Sequence, residues 1–266
     1  MADVIAFTLA APNAPPVIDG GGIVSASAFG GFPVVAPGTW IEIYGINLTN
    51  SPAASWSGSN FVNGVAPTKL GDVTVSVGGE AAYIDYISPG QVNALVPSDV
   101  PYGTGEVNIT LTNSNGTSDP FPIFVYQTLP GLLAPASFMI NNQQYVAAIL
   151  QDGNYALPVG AISGLGTRPA VPGETVTIYG VGFGPVSPDF PAGTVVTAQN
   201  SLTNAIAFFF GNTQAETTYG GLAPSFVGLY QFNVVVPSVP ANAAMPFSFN
   251  LGSMGDYQTL YIAVGN

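Results

Sequence analysis

The chain of 266 residues has no cysteine, no histidine and only two basic residues, Lys69 and Arg168, against 14 acids, for a formal net charge of −12. Each absence removes a class of chemistry. Without cysteine there is no disulfide and no thiolate nucleophile. With histidine also missing there is no Ser-His-Asp triad, no Cys-His dyad and no zinc site built from the usual nitrogen and sulfur ligands. Two cations cannot neutralise a run of phosphates, which excludes nucleic acid as a partner. Charged residues of either sign make up 6% of the chain, where an ordinary soluble domain carries roughly 25%. Long hydrophobic runs are missing too. The uncharged stretch between Asp119 and Asp152 is interrupted by Pro122, Pro130, Pro135, Gln143 and Gln144, so it falls short of the ~18 apolar residues a membrane-spanning helix requires.

What is present is apolar and heavily punctuated. Apolar residues form 47% of the chain and the mean hydropathy is +0.41, with 33 Gly and 24 Pro. Enough Val, Ile, Leu and aromatic side chains are available to bury a core, which separates the chain from disordered sequences. Val73, Val75 and Val77 alternate with Thr74 and Ser76 before Gly78-Gly79, and Ala82 to Ile87 runs on to Pro89-Gly90. Val107, Ile109 and Leu111 alternate with polar residues before Asn115-Gly116. In the second half, Ala205 to Phe210 precedes Gly211-Asn212, and Phe247 and Phe249 alternate with Ser248 and Asn250. Short alternating strands between Gly, Pro and Asn turns, with no sustained helical period, predict an all-β protein of β-sandwich type.

The pattern occurs twice. Pro37-Gly38 leads into Trp40-Ile41-Glu42-Ile43-Tyr44-Gly45, and Pro172-Gly173 leads into Thr175-Val176-Thr177-Ile178-Tyr179-Gly180. Further on, Gln91-Val92-Asn93-Ala94-Leu95-Val96-Pro97 is matched by Gln231-Phe232-Asn233-Val234-Val235-Val236-Pro237, a shared Gln-x-Asn-x-x-Val-Pro. The expected organisation is an N-terminal arm over 1–13 and two tandem immunoglobulin-like β-sandwiches over 14–128 and 129–266. The two repeats with their Ser-Pro-Gly-Gln and Tyr-Gln-x-Asn elements resemble an uncharacterised family rich in acidobacterial, Solibacter-type secreted proteins, whose repeats are similar to IPT/TIG immunoglobulin-like domains. That resemblance implies a fold and an extracellular setting, and no activity. It fits a mature form from which a leader has been removed, located outside the cell or on its surface. The scarcity of Lys and Arg points the same way, because mixed charge is how most cytosolic proteins remain soluble.

The sequence offers few candidate sites. On a strand, positions i and i+2 share a face, so Gln91 and Asn93 project together, as do Gln231 and Asn233. Either these amides bind a ligand, or they satisfy backbone groups of a neighbouring loop. Gly180-Val181-Gly182-Phe183-Gly184 follows a strand, but Pro185 and Pro188 block the helix a dinucleotide loop would need. The acids are scattered and form no calcium loop. No catalytic residue, metal site or cofactor is expected. Lys69 and Arg168 are each expected to pair with an acid and fix a loop.

In the arm, Ile5, Phe7 and Leu9 share one face of a strand-like segment, followed by the stiff Ala11-Pro12-Asn13-Ala14-Pro15-Pro16. Such a strand completes its own sandwich or is donated to a neighbouring copy. The leading expectation is a non-enzymatic secreted structural protein that self-associates through strand addition and apolar faces into a filament, fibre or surface layer, with other copies of itself as partners. The second is a carbohydrate- or surface-binding adhesion module for extracellular glycans, with Trp40, Trp56 and Tyr102 as stacking residues. A hydrolase would need two carboxylates about 5–10 Å apart in a cleft.

Overall fold

Alternating apolar residues on short strands have one stable solution, which is to bury the apolar side of one sheet against that of another. The computed structural model describes residues 13–27, 34–252, 254–255 and 258–266, and it takes that form twice. In the first half the strands are β1 (Val17–Ser25), β2 (Trp40–Ile46), β3 (Val73–Val77), β4 (Tyr83–Ser88), β5 (Gln91–Leu95), β6 (Glu106–Asn113) and β7 (Phe121–Phe124). One sheet runs β1-β2-β5-β4 and ends at the short strand Ala54–Ser55. The other is centred on β6, which pairs with β3 and β7. Ile41, Ile43, Ile84, Val92 and Ala94 from the first sheet meet Val73, Val75, Val77, Ile109 and Leu111 from the second, all buried.

The second half repeats the plan with β8 (Thr175–Val181), β9 (Ile206–Phe210), β10 (Thr213–Leu222), β11 (Tyr230–Val235), β12 (Asn242–Leu251) and β13 (Leu260–Val264). Strand β10 belongs to both layers. Its residues 216–222 pair with β11, and residues 213–215 pair with β9, so the two layers are one continuous hydrogen-bonded sheet folded over itself. The core between them is aromatic: Phe183, Phe208, Phe210, Phe232, Phe247 and Phe249 are almost wholly buried, with ring centroids of Phe183 and Phe232 only 4.6 Å apart. Phe183 lies in the glycine-rich segment after β8, so that segment is a loop whose one large residue plugs the core.

Both repeats carry a β-bulge at the same place. Pairing of β4 with β5 shifts between Ile84 and Tyr86, and pairing of β10 with β11 shifts between Thr217 and Tyr219. Strict alternation from Tyr83 would turn Tyr86 toward the core. The bulge at Asp85 instead sets Tyr86 opposite Asn93, and the equivalent bulge sets Tyr219 opposite Asn233. Re-aiming one side chain is what such bulges do.

With so few charges, each ionised group that contributes to structure can be identified. The Asp72 carboxylate accepts hydrogen bonds from Thr49 Oγ1 (2.5 Å), Ser51 Oγ (3.1 Å), Ser114 Oγ (3.0 Å) and the Asn50 and Ser114 amides, tying the 49–51 loop to the 113–115 turn. Burial pushes this carboxyl up, but the hydrogen bonds from Thr49, Asn50 and Ser114 outweigh burial and hold it well below the usual carboxylate range. Arg168 clamps Asp152 and Glu174, as expected of it. Its hydrogen bonds hold Asp152 down at about 2 and lower Glu174 as well. Lys69 is exposed and forms no ion pair among the described residues, contrary to expectation.

Two predictions follow from these contacts. Phe232→Ala should cost about 3–5 kcal/mol by denaturant unfolding, because a buried ring leaves a cavity that its neighbours cannot fill. The acid latches have a defined pH window. Their folded pKa values lie below the ordinary 3.8, so their contribution is complete above about pH 4 and is lost as pH falls toward 2 and below. The melting temperature should therefore hold between pH 7 and 5 and fall below pH 4. Asp72→Asn should lower it at pH 7 by the equivalent of about 1–3 kcal/mol and should flatten the acid limb.

Candidate functional site

The junction between the two sandwiches begins with a hairpin turn. Val62-Asn63-Gly64-Val65 closes on itself through reciprocal Val62–Val65 backbone bonds, with positive φ at Asn63 and Gly64. This is the tight turn that Asn-Gly favours. The flank of the hairpin then pairs with the second half: Ala66 donates to the Gly193 carbonyl (2.8 Å) and Val195 to that of Gly64 (2.8 Å). Behind this contact Ala66, Leu95, Ala192 and Val227 are buried together with parts of Trp40, Trp56, Phe61, Tyr83 and Val195. Trp40 Nε1 donates to the Val227 carbonyl (3.0 Å), and the Trp56 ring packs edge-on against Trp40 and Phe61. Gly193 is at φ +83°, and a Cβ there would run into the Tyr83 ring. Trp40 and Trp56, expected as sugar-stacking residues, are therefore fixed in the junction.

A cleft of about 240 Å³ opens beside this contact, between Ser98, Tyr102 and Gln127 of the first half and Asp189, Phe190 and Tyr230 of the second. Its frame is rigid. Ser98 Oγ accepts a hydrogen bond from the Ala192 amide (2.7 Å), and the buried Tyr230 phenol donates to the Gly184 carbonyl. Burial raises the Tyr230 pKa, keeping its proton. Tyr102 is 49% exposed. The extended segment that supplies Gln127 also carries Phe124 and Tyr126, 49% and 53% exposed. A bond from the Gly103 amide to the Val125 carbonyl (3.1 Å) holds Tyr102 beside that segment. Phe124 and Tyr126 carried no signal in the sequence, since alternation alone does not tell which face of β7 is left uncovered.

The paired amides lie on the outer faces of the sheets. Gln91 Nε2 donates to Asn93 Oδ1 (2.8 Å), and Gln231 Nε2 to Asn233 Oδ1 (3.0 Å). Tending the loop backbone falls to other amides: Asn200 pairs with both backbone groups of Leu222, Gln258 with both of Leu132, and Asn113 caps the Asn47 carbonyl. Around each Gln–Asn pair the cross-strand neighbours correspond. Tyr44 is opposite Gln91 and Tyr86 opposite Asn93, while Tyr179 is opposite Gln231 and Tyr219 opposite Asn233. Tyr44 donates to Glu42 Oε2 (2.6 Å), and burial, helped by that carboxylate, pushes its phenol up to about 12.

The expected arm residues Ile5, Phe7 and Leu9 lie outside the described residues. Its base is described: Asn115 Nδ2 donates to the Ala14 carbonyl (3.3 Å), and Pro15 lies against Gly116. Strand β1 pairs only with β2 among the described residues. The acids brought together by described contacts are Asp152 and Glu174, and Arg168 between them keeps both ionised. No cluster of three or more acids suited to a metal ion occurs among the described residues. None of their helices is long and apolar enough to cross a membrane.

Residues 34–124 match the IPT/TIG domain family. No curated protein sequence matches the chain. Among solved structures it is similar to a surface glycan-binding protein from the mixed-linkage glucan utilization locus of Bacteroides ovatus, in complex with a heptasaccharide (12% identity, 88% of this chain and 43% of that one, TM-score 0.35). It is also similar to the surface glycan-binding protein PbSGBP-B of Prevotella bryantii (14%, 92% and 42%, TM-score 0.26) and to the extracellular region of plexin A4 (13%, 96% and 18%, TM-score 0.27). The chain spans less than half the length of each.

Gly193→Ala should separate the sandwiches. The expected outcome is that one cooperative calorimetric transition becomes two, with Trp40 and Trp56 fluorescence shifted to the red on the first.

Proposed function

We propose that the protein is a non-catalytic extracellular adhesion module that binds uncharged carbohydrate in the cleft between its sandwiches. The observation that carries this reading is the half-exposed Tyr102 ring, which lines a cleft together with Phe190, Gln127, Ser98 and Asp189, with the exposed rings of Phe124 and Tyr126 on the segment that supplies Gln127. Aromatic faces take up the C–H faces of a sugar, and amide, hydroxyl and carboxylate groups fix its hydroxyls. No cation lines the cleft to draw an acidic ligand. The carboxylates that Arg168 brings together, Asp152 and Glu174, are held ionised by it, which supports a binding role over a catalytic one. The division at 14–128 and 129–266, the surface location and the kinship with secreted acidobacterial proteins belong to the same reading, supported by the Gln-x-Asn-x-x-Val-Pro repeat and the near absence of basic residues.

The test is binding of the purified chain to neutral polysaccharides by affinity electrophoresis and calorimetry. Tyr102→Ala and Gln127→Ala should each weaken binding about tenfold or more, and salt should have little effect because no ion pair is involved. Absence of binding to every neutral glycan tried overturns the reading.

A second reading, self-association into a filament or layer, is favoured by the edge of β1 that no described residue covers. Pinning of Ala14 and Pro15 at the 115–116 turn, followed by Pro16, opposes a tight reversal of the arm onto its own β1, so Ile5, Phe7 and Leu9 would add to the edge of another copy. Electron microscopy should then reveal filaments that disappear on deletion of residues 1–13. Monomers in both samples reject it.

A further inference from the structure

We propose that the two Tyr–amide–Tyr faces form one track for an extended neutral polysaccharide, separate from the cleft; this rests on the carbohydrate reading and extends it from a sugar to a polymer. The first ground is repetition with a mechanism. Each repeat places a tyrosine opposite a glutamine and a tyrosine opposite an asparagine, and each uses a β-bulge to bring the second tyrosine onto that face. The folding core does not ask for this arrangement. Without the bulge that tyrosine would face inward, and the amide side chains bond to each other, with Thr177 also donating to Asn233 and the Tyr219 hydroxyl to the Leu222 carbonyl, so the rings and the outer amide edges stay on the face.

The second ground is continuity. Trp40, Glu42 and Tyr44 share the outer face of β2, and Trp40 donates to the Val227 carbonyl. The preceding residue, Phe226, is 51% exposed and its ring lies 6.4 Å from that of Tyr179 on the second face. The loop 226–228 thus borders both faces and adds an exposed ring between them. The third ground is chemistry. The track presents rings and amide groups with two carboxylates, Glu42, already bonded to Tyr44, and Glu216 at the end of the second face, and no cation, so it suits a hydroxyl-rich chain that carries no negative charge. The fixed junction holds the two faces at one spacing, and a polymer long enough to reach both gains the effective concentration of the second contact. A short oligosaccharide does not.

The experiment uses the whole chain with cellulose, mannan and amylose, and with their hexasaccharides, measured against two sets of substitutions. Tyr44→Ala with Gln91→Ala removes one face, and Tyr179→Ala with Gln231→Ala removes the other. Loss of either face should weaken polymer binding about tenfold or more while leaving hexasaccharide affinity unchanged, and Tyr44→Phe with Tyr179→Phe, which keep the rings, should retain binding. Unfolding curves matching the parent exclude a folding defect, and should a double variant misfold, the single Gln91→Ala and Gln231→Ala changes give the same comparison. Equal polymer binding by parent and both variants overturns the track and leaves the cleft reading standing. Polymer binding that depends on the two faces but not on Tyr102 and Gln127 supports the track and removes the cleft. If the parent instead sediments as an oligomer that the face substitutions dissociate, a second copy covers this surface and the proposal fails.

Discussion

Burial of the apolar patch formed by Trp40, Tyr83 and Leu95 is the constraint on which the rest of the molecule depends. These three side chains come from adjacent strands and lie on the outer face of a sheet, where water would otherwise meet them. Covering them forces the second sandwich against the first, sets the 62–65 hairpin along 193–195, and opens the cleft beside the contact. Removal of that much aromatic surface from water is worth several kcal/mol, enough to make two sandwiches behave as one body. A binding surface that draws residues from both halves needs this rigidity, since its geometry would otherwise vary with the angle between them.

Scarcity of charge explains how the structure is held elsewhere. Where an ordinary protein would use many weak surface ion pairs, this one braces its loops with three carboxylates, Asp72 alone and Asp152 with Glu174 on Arg168, and assigns much of the remaining polar bracing to uncharged amides. Asn200 and Gln258 each imitate a strand neighbour, offering a donor and an acceptor to a single buried residue. Such groups do not titrate, so the braces they form are insensitive to pH, whereas the carboxylate sites at Asp72 and Arg168 loosen in acid.

The sandwich class was legible because alternation, as in Val73-Val75-Val77, reports burial of one face directly, and the internal repeat was legible because Gln-x-Asn-x-x-Val-Pro recurs with the same strand around it. Two things were not. A bulge leaves no mark on hydrophobic periodicity except as a phase error, so Tyr86 and Tyr219 could not be assigned to the amide face. Nor does a strand pattern say what covers an outer face. Trp40 and Tyr102 look alike in sequence, yet one is closed over by Val227 and the other stands beside open solvent. Their difference arises from contacts between residues well over a hundred positions apart, which no local pattern encodes.

The register of the second sandwich gives the junction a direction. Where β2, β5 and β4 offer Trp40, Leu95 and Tyr83, the corresponding places on β8, β11 and β10 hold Thr175, Val235 and Glu216. Solenoid arrays grow because every unit presents the same adhesive face to the next. Here the second unit accepts no successor by that contact, since a third sandwich would have to bury a glutamate and a threonine in place of two aromatic rings. The same position in the two repeats thus carries an adhesive face in one and a polar face in the other.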